Sequence, residues 1–250
     1  IGLVWLKDDF RIKKNFALIE ATKKHDQVVA FYLYKRKKLD SQEAQKWWVS
    51  RSLNLFKKKL LTFNINLEII ETDNYRSFFE KLFIKKNFSI YWNKTYEPSY
   101  LKFDDYLSKN FLSNKIKFKI FKGNILNEFN QVKKGDGTPF RVFTPYWRNA
   151  EKLYLDKVPS KDHKIIKCNS TCNFFNNTIS EAKIFPKKNW FQKFDEYWSP
   201  SEEHALKELK KFIREKIKDY PDARNYPDKI GTSKLSPFIK HGQIHVETIW

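Results

Sequence analysis

The chain has 250 residues, 41% of them hydrophobic and 17% aromatic, enough apolar material for one large or two ordinary cores and too much for a disordered polymer. Its 49 Lys and Arg against 29 Asp and Glu leave a formal net charge of +20. That excess permits contact with phosphate backbones, yet with only 8 arginines it also suits the Lys-, Asn-, Ile- and Phe-rich usage of an AT-rich reading frame.

In chain order, apolar and β-branched runs over 2–6, 27–34, 66–71, 88–92 and 117–121 predict buried strands. Helical spacing over 15–24, 42–63, 75–86 and 100–110 fills the intervals. Such alternation implies a parallel α/β sheet. Sheets of this kind bind ligands at the carboxyl ends of their strands, so Lys7, Asp8, Asp9, Phe10 and Arg11 are expected to line a crevice there. No G-x-G-x-x-G follows the first strand, which excludes a standard dinucleotide site.

From about 151 to 189 periodicity lapses and Lys, Asn, Ser and Pro accumulate, which reads as a long connection. Ser199-Pro200-Ser201-Glu202 then offers an N-cap, a proline for the first helical position and a capping-box acid. After it, Leu206, Leu209, Ile213 and Ile217 fall on one helical face. The expected organisation is an α/β domain over 1–130, a connection over 131–197 and the beginning of a helical domain over 198–250. Cys168 and Cys172, with three residues between them and His163 nearby, lack the ligand number and spacing of a zinc site, so no metal is expected. No apolar run reaches the length of a membrane span and no charged-then-apolar leader is present. A soluble cytoplasmic protein without membrane contact is therefore expected. The chain contains no methionine, starts inside a predicted strand and stops inside a predicted helix, and is expected to be part of a longer reading frame.

Gly231-Thr232-Ser233-Lys234-Leu235-Ser236-Pro237 packs hydroxyls, a cation and a glycine into one short run. That is the chemistry of a backbone cradle for a diphosphate, and also the composition of a plain helix-capping loop. Its neighbours are Trp198-Ser199-Pro200 before it and Phe238-Ile239-Lys240-His241-Gly242-Gln243-Ile244 after it. With these it resembles the flavin-binding entry of the DNA photolyase and cryptochrome family. Two further stretches agree. Leu3-Val4-Trp5-Leu6-Lys7-Asp8-Asp9-Phe10-Arg11, followed by Asn15 and Ala17-Leu18, is similar to the family's opening strand with its W-F-R-R-D-L-R…N-x-A-L continuation. Gly137-Thr138-Pro139-Phe140-Arg141-Val142-Phe143-Thr144-Pro145-Tyr146-Trp147-Arg148 is similar to its G-x-P-Y-x-V-F-T-P-F-x-R loop. The chain resembles the N-terminal part of a class I cyclobutane pyrimidine dimer photolyase.

The resemblance implies a Rossmann-like parallel-sheet domain followed by the truncated start of an all-α FAD-binding domain. It implies light-driven repair of cyclobutane pyrimidine dimers by electron transfer from reduced FAD, the deoxyribodipyrimidine photo-lyase reaction. That activity belongs to the full-length protein, the present part alone being inactive. The alternative is a cryptochrome-type blue-light photoreceptor without repair, and a third reading is a stand-alone α/β binding module. By position in the motif, Tyr220, Thr232, Ser233, Lys234, Leu235 and Ser236 are expected to contact FAD, chiefly its diphosphate. Arg224 is expected on a DNA phosphate beside the lesion, and catalytic residues beyond residue 250. The partner is damaged DNA and the expected state a monomer. An antenna chromophore of folate or deazaflavin type is open: Trp47, Trp48 and Arg51, with Asn93, Tyr96, Glu97 and Tyr100, could frame one, although the tryptophan spacing reads first as a core stripe. The chain departs from the family pattern at Asp8, Asn225, Lys234, where the family commonly has Arg, and His241, which is given no role.

Overall fold

Strands covered by helices on both faces read as unbroken apolar runs, and GLVWL, VVAFYLY and SIYWN behave accordingly. The computed structural model describes residues 1–35, 42–85, 87–111, 117–155 and 163–250. Strands β1 (Gly2–Leu6), β2 (Val28–Tyr34), β3 (Asn66–Glu71), β4 (Ser89–Asn93) and β5 (Lys117–Phe121) form one parallel sheet in the order β3-β2-β1-β4-β5. Helices α1 (Phe16–Lys24), α2 (Glu43–Leu61), α3 (Tyr75–Ile84) and α4 (Pro98–Phe111) occupy the intervals, as the alternation of periods predicts. Lys86, the last residue of the helix expected over 75–86, lies outside the described residues. Asn15 caps α1, its side chain accepting the Leu18 N–H, and Asn74 caps α3 in the same way through Ser77.

Helices α1 and α2 cover one face, where Leu18, Leu53, Phe56 and Leu60 pack with Val4, Leu6, Ala30 and Leu67. Helices α3 and α4 cover the other, where Phe79, Phe83 and Leu107 pack with Leu3, Trp5, Phe31, Ile90 and Trp92. Each such side chain contributes roughly 1.5–3 kcal/mol on burial, more than an exposed ion pair. Helix α2 is apolar on two sides. Its Trp47 and Trp48 belong to a third cluster with Ala205, Leu209, Leu235, Phe238 and Ile244, and this cluster joins the C-terminal segment to the sheet.

The aperiodic stretch is partly a strap along the sheet's edge, within which 156–162 lie outside the described residues. Buried Glu68 in β3 accepts the N–H groups of Phe174 and Phe175 at 2.9 and 2.8 Å, and Ile179 bridges Ile69 in antiparallel fashion. The strap has no period of its own because these bonds, not a repeating face, hold it.

Two local expectations change. The stretch read as a loop through Arg148 is helical from Phe143, in α5 (Phe143–Leu155), because Pro145 sits in the first turn, where its missing N–H costs nothing. After α6 (Gln192–Tyr197), helix α7 (Glu202–Glu215) is capped by Ser201, whose hydroxyl accepts the His204 N–H at 3.2 Å. Ser199 is not the cap, and Pro200 precedes the helix. Of the predicted face, Leu209 is buried, while Ile213 and Ile217 are 50% and 48% exposed. Three short helices follow: α8 (Tyr220–Ala223), α9 (Ser236–Lys240) and α10 (Val246–Ile249). Among the described residues no helix is long and apolar enough to cross a membrane, and no group of three or more His, Cys, Asp or Glu side chains is placed to hold a metal ion.

Candidate functional site

The loop from Gly231 to Ser236 is held from both ends. At its start, Gly231 packs on Ala223 so closely that an added Cβ would stand 2.6 Å from the Ala223 Cβ, which sets the loop beside α8. There Tyr220 meets Phe212 edge-on at 5.4 Å, and the exposed Arg224 guanidinium lies 5.6 Å from the Tyr220 ring centroid. At its end, Leu235 is buried against the α2 tryptophans. Between these anchors Lys234 adopts a left-handed φ of +54°, a conformation that costs a non-glycine residue about 1–2 kcal/mol and is a pointer to function. Ser233 Oγ accepts the Leu235 N–H at 3.4 Å. Thr232, Lys234 and Ser236 are exposed. The loop therefore presents hydroxyls and an ammonium outward while Leu235 points inward, so Leu235 can meet a ligand through its main chain only.

The segment after β1 does something other than expected. Lys7 and Asp8 line a crevice, but Asp9, Phe10 and Arg11 are 4%, 2% and 0% exposed. Asp9 accepts the Lys7 N–H at 2.9 Å and the Asn93 Nδ2–H at 2.7 Å; burial pushes its carboxyl upward, and Arg11 and Asn93 oppose the push. Arg11 donates to the carbonyls of Gly242 and Lys14, both at 3.1 Å. Glu202 reaches back from α7 to accept the N–H groups of Ile12 and Lys13 at 2.7 and 2.9 Å. A capping-box acid would bond its own helix. This one ties α7 to the N-terminal segment.

The crevice, about 190 Å³, is lined by Lys7, Asp8, Tyr32, Tyr75, Glu97, Tyr100, Lys240 and His241 among others. Lys7 Nζ stands 3.2 Å from Asp104 and 4.2 Å from the Trp5 ring centroid. Burial lowers its pKa, Asp104 resisting. The Tyr75 phenol is pushed up to about 12 by burial, and Tyr32 and Tyr100 rise for the same first reason. Of the antenna candidates, Glu97 and Tyr100 reach this crevice. Trp47 and Trp48 are core, Asn93 is buried in the Asp9 network, Arg51 pairs with Asp195 at 2.9 and 2.7 Å, and Tyr96 donates to Glu128 at 2.8 Å. Sequence reasoning missed Tyr32, Tyr75 and Lys240. The usable signal was register: Tyr32 stands beside Leu6 at the carboxyl end of the sheet.

A parallel sheet with helices on both faces, a crevice at its carboxyl edge and a C-terminal segment tied to its opening segment through Arg11 and Gly242 define a doubly wound α/β domain with a helical segment packed on it. Residues 2–163 match the family model for DNA photolyase, and the chain belongs to that family. It is 27% identical over 249 residues, 99% of its length and 52% of the other's, to the deoxyribodipyrimidine photo-lyase of Agrobacterium fabrum. Cryptochrome-2 of Arabidopsis thaliana is 24% identical over 99% of the chain and 42% of its own length. Among solved structures, a bacterial class III photolyase from Agrobacterium tumefaciens superposes with a TM-score of 0.87 at 26% identity, covering 100% of this chain and 52% of that one. The chain spans about half the length of the curated photolyases it matches.

Proposed function

We propose that the chain is part of a light-driven DNA-repair flavoprotein that splits cyclobutane pyrimidine dimers. The observation that carries the reading is the 231–236 loop, outward-facing in its hydroxyls and ammonium and fixed at both ends. Hydroxyls, main-chain N–H groups and a lysine are the donor set a diphosphate needs, so the residues fit an FAD. A bound, reduced FAD would supply light-driven one-electron chemistry to the dimer with no net redox change, and the residues of this chain that would hold it are those of the 231–236 loop.

The chain's own contribution is binding and placement. Thr232, Ser233 and Ser236 donate to phosphate oxygens, and Lys234 adds a point charge without the planar fork of an arginine. Tyr220 stands on the α8 side of the Ala223–Gly231 contact. Arg224, exposed beside it, contacts a phosphate of the damaged strand, which positions the duplex and carries no sequence information. A flipped lesion costs less to unstack than an intact pair, which favours damaged sites. The crevice at Lys7, Glu97, Tyr100 and His241 is the place this chain offers a second, antenna chromophore. The domain division is that of the sequence reading: α/β over 1–130, connection over 131–197, helical from 198.

The test is light-dependent splitting of a dimer-containing oligonucleotide by a flavin-loaded protein that carries this chain. Splitting under blue light supports the reading. Flavin binding without splitting moves the protein to the photoreceptor class of its cryptochrome relative, and absence of flavin binding removes both in favour of a plain α/β binding module.

A further inference from the structure

Arg11 is 0% exposed; its hydrogen bonds go to main-chain carbonyls, Asp9, Glu202 and Glu247 act on it only as neighbouring charges, and its Nε has no hydrogen-bond partner among the described residues. Burying such a group is costly unless its N–H groups are placed on good acceptors. One Nη donates to Gly242 and the other to Lys14, so one planar fork spans two pieces of chain that are far apart in sequence. A lysine ammonium lacks that fixed fork.

The far side of this joint admits glycine alone. Gly242 has a φ of +64°, and a Cβ there would stand 1.9 Å from the Asp8 carbonyl oxygen. The same residue closes α9: the Gly242 N–H donates to Ile239 O at 3.2 Å and the Gln243 N–H to Phe238 O at 2.8 Å. Gln243 adds a second tie, donating to Ser52 Oγ at 2.7 Å and Pro200 O at 3.1 Å while accepting the Trp48 Nε1–H at 3.2 Å. Five residues of helix then lead back from Lys240 to Ser236, a rod of roughly 7 Å. This helix is the covalent path from Gly242 to the 231–236 loop.

We infer that Arg11 is a positioning residue for the 231–236 loop, setting its conformation through the backbone of Gly242. Its value to the protein rests on the reading of that loop as the flavin diphosphate contact, whereas the mechanical coupling does not. The N-terminal motif that looks like a ligand crevice is in these terms the bracket on which the ligand loop hangs.

Two measurements decide it. In the 250-residue chain, R11K should raise amide hydrogen exchange across 231–245 by about tenfold, the equivalent of one charge-assisted hydrogen bond, with exchange in β1 and β2 unchanged. S52A, which removes one of the three Gln243 hydrogen bonds and leaves Arg11 intact, should loosen the same amides less, and R11Q, which keeps a planar donor without the charge, supplies the answer if R11K fails to fold. Equal acceleration everywhere in R11K would make Arg11 a general stability residue and overturn the inference, as would unchanged exchange over 231–245 in R11K and S52A. In a flavin-binding protein carrying the chain, R11K should weaken FAD by about tenfold and leave riboflavin, which lacks the diphosphate, at its wild-type affinity. A wild-type protein that binds no FAD would defeat the proposed function and leave the exchange result to decide the coupling. FAD and riboflavin weakened alike would overturn the positioning role.

Discussion

His241 lies between the Trp48 ring, stacked at 5.8 Å and 22°, and the Asp8 carboxylate 3.9 Å away, with Lys240 adjacent. Burial first, and the Lys240 charge second, lower its pKa to about 4. A histidine neutral in the fold and ordinary when unfolded contributes stability above its unfolded pKa and loses it as pH falls toward the folded value. Stability should therefore decline between about pH 6.5 and 4, by up to roughly 3 kcal/mol from this group. H241F should flatten that part of a urea-denaturation series against pH, and an unaltered slope would mean that Asp8 absorbs the proton's cost. In the 231–236 loop, if it holds the flavin as proposed, replacing Thr232 and Ser233 together by Ala should weaken FAD by roughly 1.5–3 kcal/mol per lost donor, read by flavin titration, while K234R should be tolerated. R224A should weaken damaged-duplex binding and reduce the slope of log affinity against log salt by about one. Unchanged affinity and slope would return Arg224 to an ordinary solvated residue. These residues were legible as types in a pattern. Their orientation was not: nothing in the string says that Leu235 turns inward, or that Glu202 leaves its own helix for the Ile12 and Lys13 amides.

Helix α2 shows what an element reveals and what it hides. Its length and apolar period are plain in the sequence, and so are the strands, because a parallel sheet must be apolar on both faces. Hidden is the fact that α2 serves two cores, Leu53, Phe56 and Leu60 toward the sheet and Trp47 and Trp48 toward the C-terminal segment. Truncating Trp48 to Ala should cost about 3–5 kcal/mol. The loss should appear as early exposure of residues 200–245 to protease while β1 to β4 remain protected. Simultaneous digestion of both parts would show that the third cluster is no separate unit of stability. The strap from Cys168 to Ile179 escaped the sequence reading for a different reason: it borrows its order from Glu68 and from the Phe63 and Asp26 carbonyls, and order of that kind leaves no period.

At the scale of the molecule, the 231–236 loop is, on the proposed reading, one wall of a flavin site. Thr232, Lys234 and Ser236 stand exposed, and a ligand of FAD's size needs most of its surface enclosed. The 250-residue chain by itself should therefore elute from gel filtration without stoichiometric FAD, with flavin absorbance of the protein peak as the readout. The fold class was legible because alternating periods leave few topologies; the joint between the two ends of the chain was not, since no local pattern announces a contact between residues 11 and 242. That separation of 231 residues has a consequence during synthesis. Ribosomes extend a chain at about 5–20 residues per second, so the stretch takes roughly 10 to 50 s to make. Once residue 61 has been added, β1, β2 and α2 are all present in the chain, while the Arg11 guanidinium still lacks its Gly242 acceptor and Trp47 and Trp48 their full cover. The nascent protein thus passes through a long stage in which the tryptophan face of α2 is open, and holdase chaperones that bind aromatic surface should protect yield most while residues 62 to 242 are being translated.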